Sequence, residues 1–537
     1  MAGSTASKQV RGVCAGAAVF ALLGWLIPLA PANADNSVFH RGLGNEPRTL
    51  DPHRAIGTSA SILIYDLFEG LMTVDREGQL TYGAAEAYEV SEDGRTYVFR
   101  LRENLRWSDG KPKTAEDFVY SFRRLMDPRT AARYASFLYL IENGRAVNTG
   151  QAEIETLGVS ALDERHLEIR LNNPAPFLPD LMAAVAAVAV PAHAIEAHGQ
   201  QWTRPANFVG SGAYRLIEAV PQTYLLAERN PYHYATESVR IERVFYYPLE
   251  NDSASLQRYR AGELDLTLRY PADQTRWIER NLPGHLRSSP GLGTGFILLN
   301  ISRPPFDDPR VRRALSLAID REGIVSRLLD GQVEPAYSLV PPTIENYTPQ
   351  QASFQSMSMQ ARMTEARALM QEAGFSQRSP LRVAMRYDSQ DTNNNIVIAV
   401  RAMWRAVGAD MEMVNSDFGA VIADARSGNY ESALYAWFAA FNDASTFLGT
   451  LDSTNRSTNF ARYANEQFDT LMAAASASPD LEERRELMQQ AERVAMEDHA
   501  LIPVFFYSGQ RLVSPVVQGW VDNPRAANLT RYLHIER

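Results

Sequence analysis

Between Tyr97 and Leu125 the chain reads YVFRLRENLRWSDGKPKTAEDFVYSFRRL, and its two successive periodicities leave few folds open. Tyr97, Phe99 and Leu101 alternate with Val98, Arg100 and Arg102, the period-two pattern of a strand with one buried face. Ser108-Asp109-Gly110-Lys111-Pro112 is turn chemistry. Thr114 can then accept from the backbone amide three residues on while Asp117 reaches back, a capping box, and Phe118, Phe122 and Leu125 fall on one helical face. A strand and an amphipathic helix joined this closely predict an α/β chain in which the helix covers a sheet.

Residues 1–34 read as an export leader. Lys8 and Arg11 give a positive start, Val13–Leu29 is an apolar run, and Ala32-Asn33-Ala34 is a small-residue cleavage signal. The alternative, an uncleaved anchor, is opposed by an apolar run shorter than the roughly 20 residues of a spanning helix. Cys14 is the only cysteine and lacks the apolar approach of a lipidated one. Cleavage after Ala34 leaves a mature chain without a thiol, which excludes cysteine nucleophiles, thiolate metal sites and disulfides. The expected location is the periplasm.

Removing the leader from 537 residues leaves 503, more than one core usually organises. Two or more lobes are expected. The leader carries two basic and no acidic residues, so a formal charge of −10 becomes −12 in the mature chain, which argues against nucleic acid and anionic membranes as partners. Strands are predicted at 97–101, 166–171, 214–216, 243–247, 295–299, 381–386, 410–414 and 502–507, in no regular βαβ rhythm, so mixed sheets are expected. Asp308-Pro309 opens a helix through Val311, Ala314, Leu315 and Ala318; Glu365–Ala373 stops at Gly374; and Asp480 with Glu483 caps a helix through Leu487, Ala491 and Val494.

The Tyr97–Leu125 unit resembles a segment of the extracellular solute-binding proteins of family 5, the periplasmic oligopeptide- and dipeptide-binding components of ABC importers. Further blocks resemble the same family in the same order: Leu50-Asp51-Pro52-His53, Asp66-Leu67-Phe68-Glu69-Gly70-Leu71, Asn230-Pro231-Tyr232, Tyr259-Arg260-Ala261-Gly262-Glu263-Leu264-Asp265, Asp308-Pro309-Arg310-Val311-Arg312-Arg313-Ala314 and Glu372-Ala373-Gly374-Phe375. The resemblance implies a periplasmic-binding-protein fold, two lobes closing on a cleft about a hinge of two crossing connections. The first lobe is expected at 35–68, 194–293 and 506–537, an inserted subdomain at 69–193, and the second lobe at 294–505. It also implies ABC permease subunits as partners, a small solute as cargo, a monomer, and no cofactor.

Enzyme signatures are missing from the sequence. Gly210-Ser211-Gly212 lacks the spacing of a nucleophile elbow, and no phosphate-cradling G-x-x-x-x-G-K-[ST] occurs. His193 and His198, five apart, diverge by about 140° on a helix of 3.6 residues per turn and cannot share a metal ion as an i, i+4 pair does. No catalytic activity is expected.

The binding reading rests on Leu434-Tyr435-Ala436-Trp437-Phe438-Ala439-Ala440-Phe441-Asn442-Asp443. In the family this resembles a second-lobe strand whose backbone pairs with an extended peptide. Trp437 and Phe438 would wall the cleft, or else be ordinary core residues; Ala439 and Ala440 continue the strand; Tyr134 and Tyr507 are further cleft aromatics. The chain departs from the family at Ala440, where the peptide binders carry an acid for the ligand's α-ammonium, and polar positions of the family read Ile56, Asn393, Leu434 and Ala425. Either Asp443 takes over the amine, or it caps its own loop and the cargo lacks an amine there. The cargo is therefore expected to be a peptide or peptide-like solute, with an opine-like conjugate, an oligosaccharide or a metal chelate as alternatives, and a chaperone or chemosensory role as the alternative of another class.

Overall fold

The computed structural model describes residues 35–537 apart from 389–390, 440, 457 and 526, so the expected leader with Cys14, and the site position Ala440, lie outside the described residues. The alternation at Tyr97 becomes the strand Thr96–Leu101, inside an antiparallel sheet ordered Ala85–Val90, Thr96–Leu101, His166–Arg170, Val159–Ala161. The helix Ala115–Met126 starts with the anticipated capping box, the Thr114 N–H donating to Asp117 at 2.8 Å. Phe99, Phe118, Phe122 and Leu125 are buried in one core together with Leu167 and Ile169. At about 1.5–3 kcal/mol for each large apolar side chain, that burial holds the helix on its sheet.

The turn between strand and helix docks this subdomain onto its neighbour. Ser108 N–H donates to the Gly210 carbonyl at 2.8 Å, and Gly210 N–H returns to Ser108 Oγ at 3.0 Å. Lys113 is buried with Nζ 4.7 Å from the Phe118 ring centre, and burial pushes its pKa down to about 8.

A second sheet, ordered Val38–Leu43, Arg243–Pro248, Tyr224–Arg229, Tyr214–Val220, pairs its first two strands parallel and the rest antiparallel. Its core takes Phe39, Tyr214 and Tyr246, and also Val513, Val517 and Ile535 from the end of the chain. Asp66 fastens that return, accepting from the Thr530 N–H at 3.1 Å and from the Tyr246 hydroxyl at 2.6 Å.

The third sheet has six strands: β1 (Leu286–Leu299), β2 (Glu334–Pro335), β3 (Leu381–Asp388), β4 (Ala409–Ser416), β5 (Ser432–Phe438) and β6 (Ile502–Leu512). Their order is β2-β6-β1-β5-β3-β4, with β3 parallel to both β4 and β5 and the other pairs antiparallel. One face carries a core of Leu299, Val311, Met385, Trp404 and Phe505; the other carries Phe296, Ala433, Phe447 and Ala491. The strands β1 and β6 are longer than their apolar ends suggest. Their register shifts between Pro290 and Thr294, and beyond that shift Leu286 and Leu512 pack into a separate cluster with Leu256, Tyr259 and Ile278. These two strands therefore run from one core into another.

Candidate functional site

The strand β5 lies beside β1, with Gly293 opposite Phe438 and Thr294 opposite Trp437. Just past the strand, the Ala439 N–H donates to the Leu292 carbonyl at 2.8 Å, so residues 435, 437 and 439 direct their backbone groups at β1. The alternate residues Ala436 and Phe438 turn theirs the other way. On that side β3 is paired only at Ser432 and Ala433. Beyond Ala433, then, β5 presents an edge with no strand partner among the described residues, beside the C-terminal end of the parallel strand β3. Open α/β sheets bind ligands at that end of their parallel strands.

The side chains at this edge are aromatic. Phe438 is 57% exposed, and its ring lies 4.7 Å from that of Tyr507, which in turn lies 4.8 Å from Phe505. Glycine makes this shelf possible. A Cβ on Gly293 would come within 2.5 Å of the Phe438 ring, and one on Gly295 within 2.6 Å of the Phe505 ring. Burial pushes the Tyr507 hydroxyl up to about 12, with the negative charge of Asp388 adding to it, so Tyr507 is a neutral donor at physiological pH. Trp437 points to the opposite face and is half-buried; its indole Nε1 is buried with no hydrogen-bond partner among the described residues.

Of the residues singled out from the sequence, Trp437, Phe438 and Ala439 lie at the end of β5, and Tyr507 reaches the Phe438 ring from β6 across β1. Tyr134 makes its contacts elsewhere, stacked on Phe137 at 5.4 Å against the core of the 69–193 segment. Asp443 is engaged by its own lobe. Arg484 grips both its oxygens at 2.9 and 3.0 Å, and the Ser445 N–H donates to it at 2.8 Å. That geometry favours the loop-cap reading of Asp443 over the amine-partner one. His193 pairs with Asp109 at 2.9 Å, an arrangement across two segments that spacing does not reveal. Asn393 donates to Asp388 at 2.8 Å, and Ile56 is 50% exposed. Gly293 carries no sequence signal, because the run from Ser288 to Thr294 has no apolar period to mark it as a strand; Gly295 and Phe505 fall in predicted strands, but no local pattern sets them against the cleft aromatics.

A surface hollow of about 450 Å³ lies elsewhere, lined by Tyr120, Arg123, Arg124 and Arg129 among others. Arg124 is already paired with Asp51, and Arg129 with Asp127, so two of the three arginines lining it are committed to partners, and the edge of β5 is the better-defined site.

The model of the bacterial extracellular solute-binding proteins, family 5 (middle), matches residues 79–459. The chain belongs to that family. It is 36% identical over 513 residues to the probable deoxycholate-binding periplasmic protein YgiS of Escherichia coli K12, covering 95% of each chain. It is also 36% identical over 509 residues to the periplasmic oligopeptide-binding protein OppA of Salmonella typhimurium, covering 94% of this chain and 93% of that one. The solved structure of Haemophilus influenzae OppA in complex with RPPGFSPFR superposes with a TM-score of 0.80 at 34% identity, covering 94% of this chain and 99% of that one. The fold is accordingly the two-lobed α/β periplasmic-binding-protein fold with mixed sheets and an inserted subdomain, and the protein is a periplasmic solute-binding protein. Among the described residues no helix is long and apolar enough to cross a membrane.

Proposed function

We propose that this protein is the periplasmic receptor of an ABC importer, and that it captures peptides or peptide-like solutes by adding them as a strand to the open edge of β5. The observation that carries the reading is the register of β5: Ala436 and Phe438 direct backbone groups away from β1 on a side where β3 has stopped pairing. Main-chain pairing there reads an extended ligand without regard to sequence. The solved relative in complex with a nonapeptide supports a peptide as the cargo of this fold. Phe438, Tyr507 and Phe505 would receive apolar side chains, and the Trp437 indole N–H would take an acceptor from the ligand, since a buried donor without a partner costs about 1–3 kcal/mol. The lobes would hinge where β1 and β6 change register, with the first lobe at 35–68, 194–293 and 506–537, the insertion at 69–193 and the second lobe at 294–505. Delivery to ABC permease subunits follows from the family role. In this reading the protein binds and releases its cargo unchanged.

A second reading is favoured by one feature of the loop after β5. The sequence has Ala440 where the peptide binders have an acid, and Asp443 is held by Arg484. An ammonium enclosed there without a partner would cost several kcal/mol. An amine-free amphipathic solute avoids that cost, and a relative of equal identity is named a probable deoxycholate-binding protein, deoxycholate being a carboxylate without an amine. Native mass spectrometry of protein purified from its own periplasm separates the two. A heterogeneous set of short peptides is the expected result; a single non-peptide mass would replace the first reading by the second.

A further inference from the structure

The loop that follows β5 is held from outside its own lobe. Phe441 stacks on Phe177 with ring centres 4.8 Å apart and planes at 9°, and so packs against the core of the 69–193 segment. The next residue, Asn442, donates its backbone N–H to Asp180 Oδ1 at 2.8 Å, across 262 positions of sequence. Asp180 is clasped through both oxygens by Arg525, from the segment near the end of the chain; Nη1 to Oδ1 is 3.1 Å. The Asn442 side-chain oxygen accepts from the Glu345 N–H at 3.0 Å, and the Glu345 carboxylate stands 3.9 Å from Arg525. On the far side of the stack, Arg484 lies 5.1 Å from the Phe177 ring centre while it grips Asp443. Residues 441–443 are therefore the meeting point of the insertion, the C-terminal segment and the second lobe.

These contacts are of a kind that opening would undo together. The side chains of Asp180 and Arg525 are only 10% and 12% exposed, so the pair is nearly dry. Moving the second lobe away removes the Asn442 N–H and the Phe441 ring at once, and admits water to the ion pair. An ion pair in water contributes little, whereas a shielded bidentate one is stronger and fixes its geometry. We propose that Phe177, Asp180 and Arg525 form an interlobe latch for the loop 441–443, so that closure of the cleft is stabilised by contacts within the protein as well as by cargo. Asp180 is then a positioning residue: it acts through Asn442 on the end of β5, and it does not touch the solute. The inference holds for a peptide or a non-peptide cargo alike.

The mature chain offers a clean test, because its only cysteine lies in the leader. Produced from residue 35 and freed of ligand by unfolding and refolding, it would carry spin labels at Leu162→Cys and Ile398→Cys, two exposed positions in the insertion and the second lobe. Double electron–electron resonance is then compared with and without Asp180→Asn, and with and without Phe441→Ala. Small-angle scattering on the unlabelled proteins gives the second measure, against a radius of gyration of about 23 Å for a compact chain of this length. The latch predicts a short-distance population in the ligand-free parent that shrinks in both variants in favour of longer distances, with a larger radius of gyration and unchanged circular dichroism. Should Asp180→Asn fail to fold, Phe441→Ala carries the test alone. Identical distance distributions and scattering curves in the parent and the folded variants would overturn the proposal.

Discussion

Glu492 offers a sharp test of how this fold handles buried charge. It lies on the helix Leu481–Glu497, fully buried, beneath the connection that follows β2. Its carboxylate accepts from the Val340 N–H at 2.8 Å, the Gln350 N–H at 2.8 Å and the Tyr347 hydroxyl at 2.9 Å, so one side chain ties down both ends of that connection. No ion pair to Glu492 occurs among the described residues. Burial pushes its pKa up to about 7 from an ordinary 4.5, and the hydrogen bonds it accepts, one from the Leu339 backbone included, only partly oppose the rise. An acid whose folded pKa is raised contributes stability that is complete below the unfolded pKa and is lost as pH climbs through the folded one. The window here is pH 4.5 to 7, and linkage across it makes the loss about 3 kcal/mol. Glu492→Gln keeps the shape and removes the titration. At pH 4 both side chains are neutral, and the variant should be weaker by only about 1 kcal/mol for the acceptor it gives up. Urea unfolding followed by tryptophan fluorescence at pH 4, 5, 6, 7 and 8 gives the two stability curves. Their difference, parent minus variant, should fall by about 3 kcal/mol across that range and cross zero, leaving the variant the more stable protein at pH 8. A difference that is flat, or that rises with pH, would show that the hydrogen bonds match or outweigh burial and would refute the reasoning.

Three further outcomes follow from the site. Arg484→Ala strands the Asp443 carboxylate, of which only 15% is exposed, and should cost about 3–5 kcal/mol in chemical denaturation; a loss under 1 kcal/mol would mean the pair is solvated after all. Phe438→Ala removes a ring that is mostly in solvent, so stability should stay within about 0.5 kcal/mol, while the fraction of protein carrying bound solute in native mass spectra drops; an unchanged fraction would remove the aromatic shelf from the site. Ala440→Asp should strengthen binding of free-amine trialanine at least tenfold in calorimetry and leave N-acetyl-trialanine unchanged, and equal effects on both would detach amine recognition from this position.

Much of the fold was readable because it is local. The box of Thr114 and Asp117, the Asp308 cap that accepts from Arg310, the Asp480 cap that accepts from Glu482 and Glu483, and Gly374 at φ 90° are all decided within a few residues. Strands that pair with distant partners were read short. The apolar end of β1 at 295–299 showed, but its first residues, Leu286 to Thr294, contain two glycines and a proline and become strand only because β6 and β5 flank them. The aromatic members of the site were visible as residue types, and Phe438 and Tyr507 do meet, 4.7 Å apart. Their arrangement was not, since the shelf depends on Gly293 and Gly295 lying under rings from two other strands.

The sequence by itself determined the α/β class, the helix starts, the family through its ordered blocks, and a mature chain without thiols. Only the tertiary structure decided which charges are available. Asp443 meets Arg484 across 41 positions, Asp180 meets Asn442 across 262, and Glu492 is buried by a connection some 150 residues upstream. The reason is physical: a carboxylate's chemistry is set by its desolvation and its partners, and both are supplied by segments that no local pattern brings together.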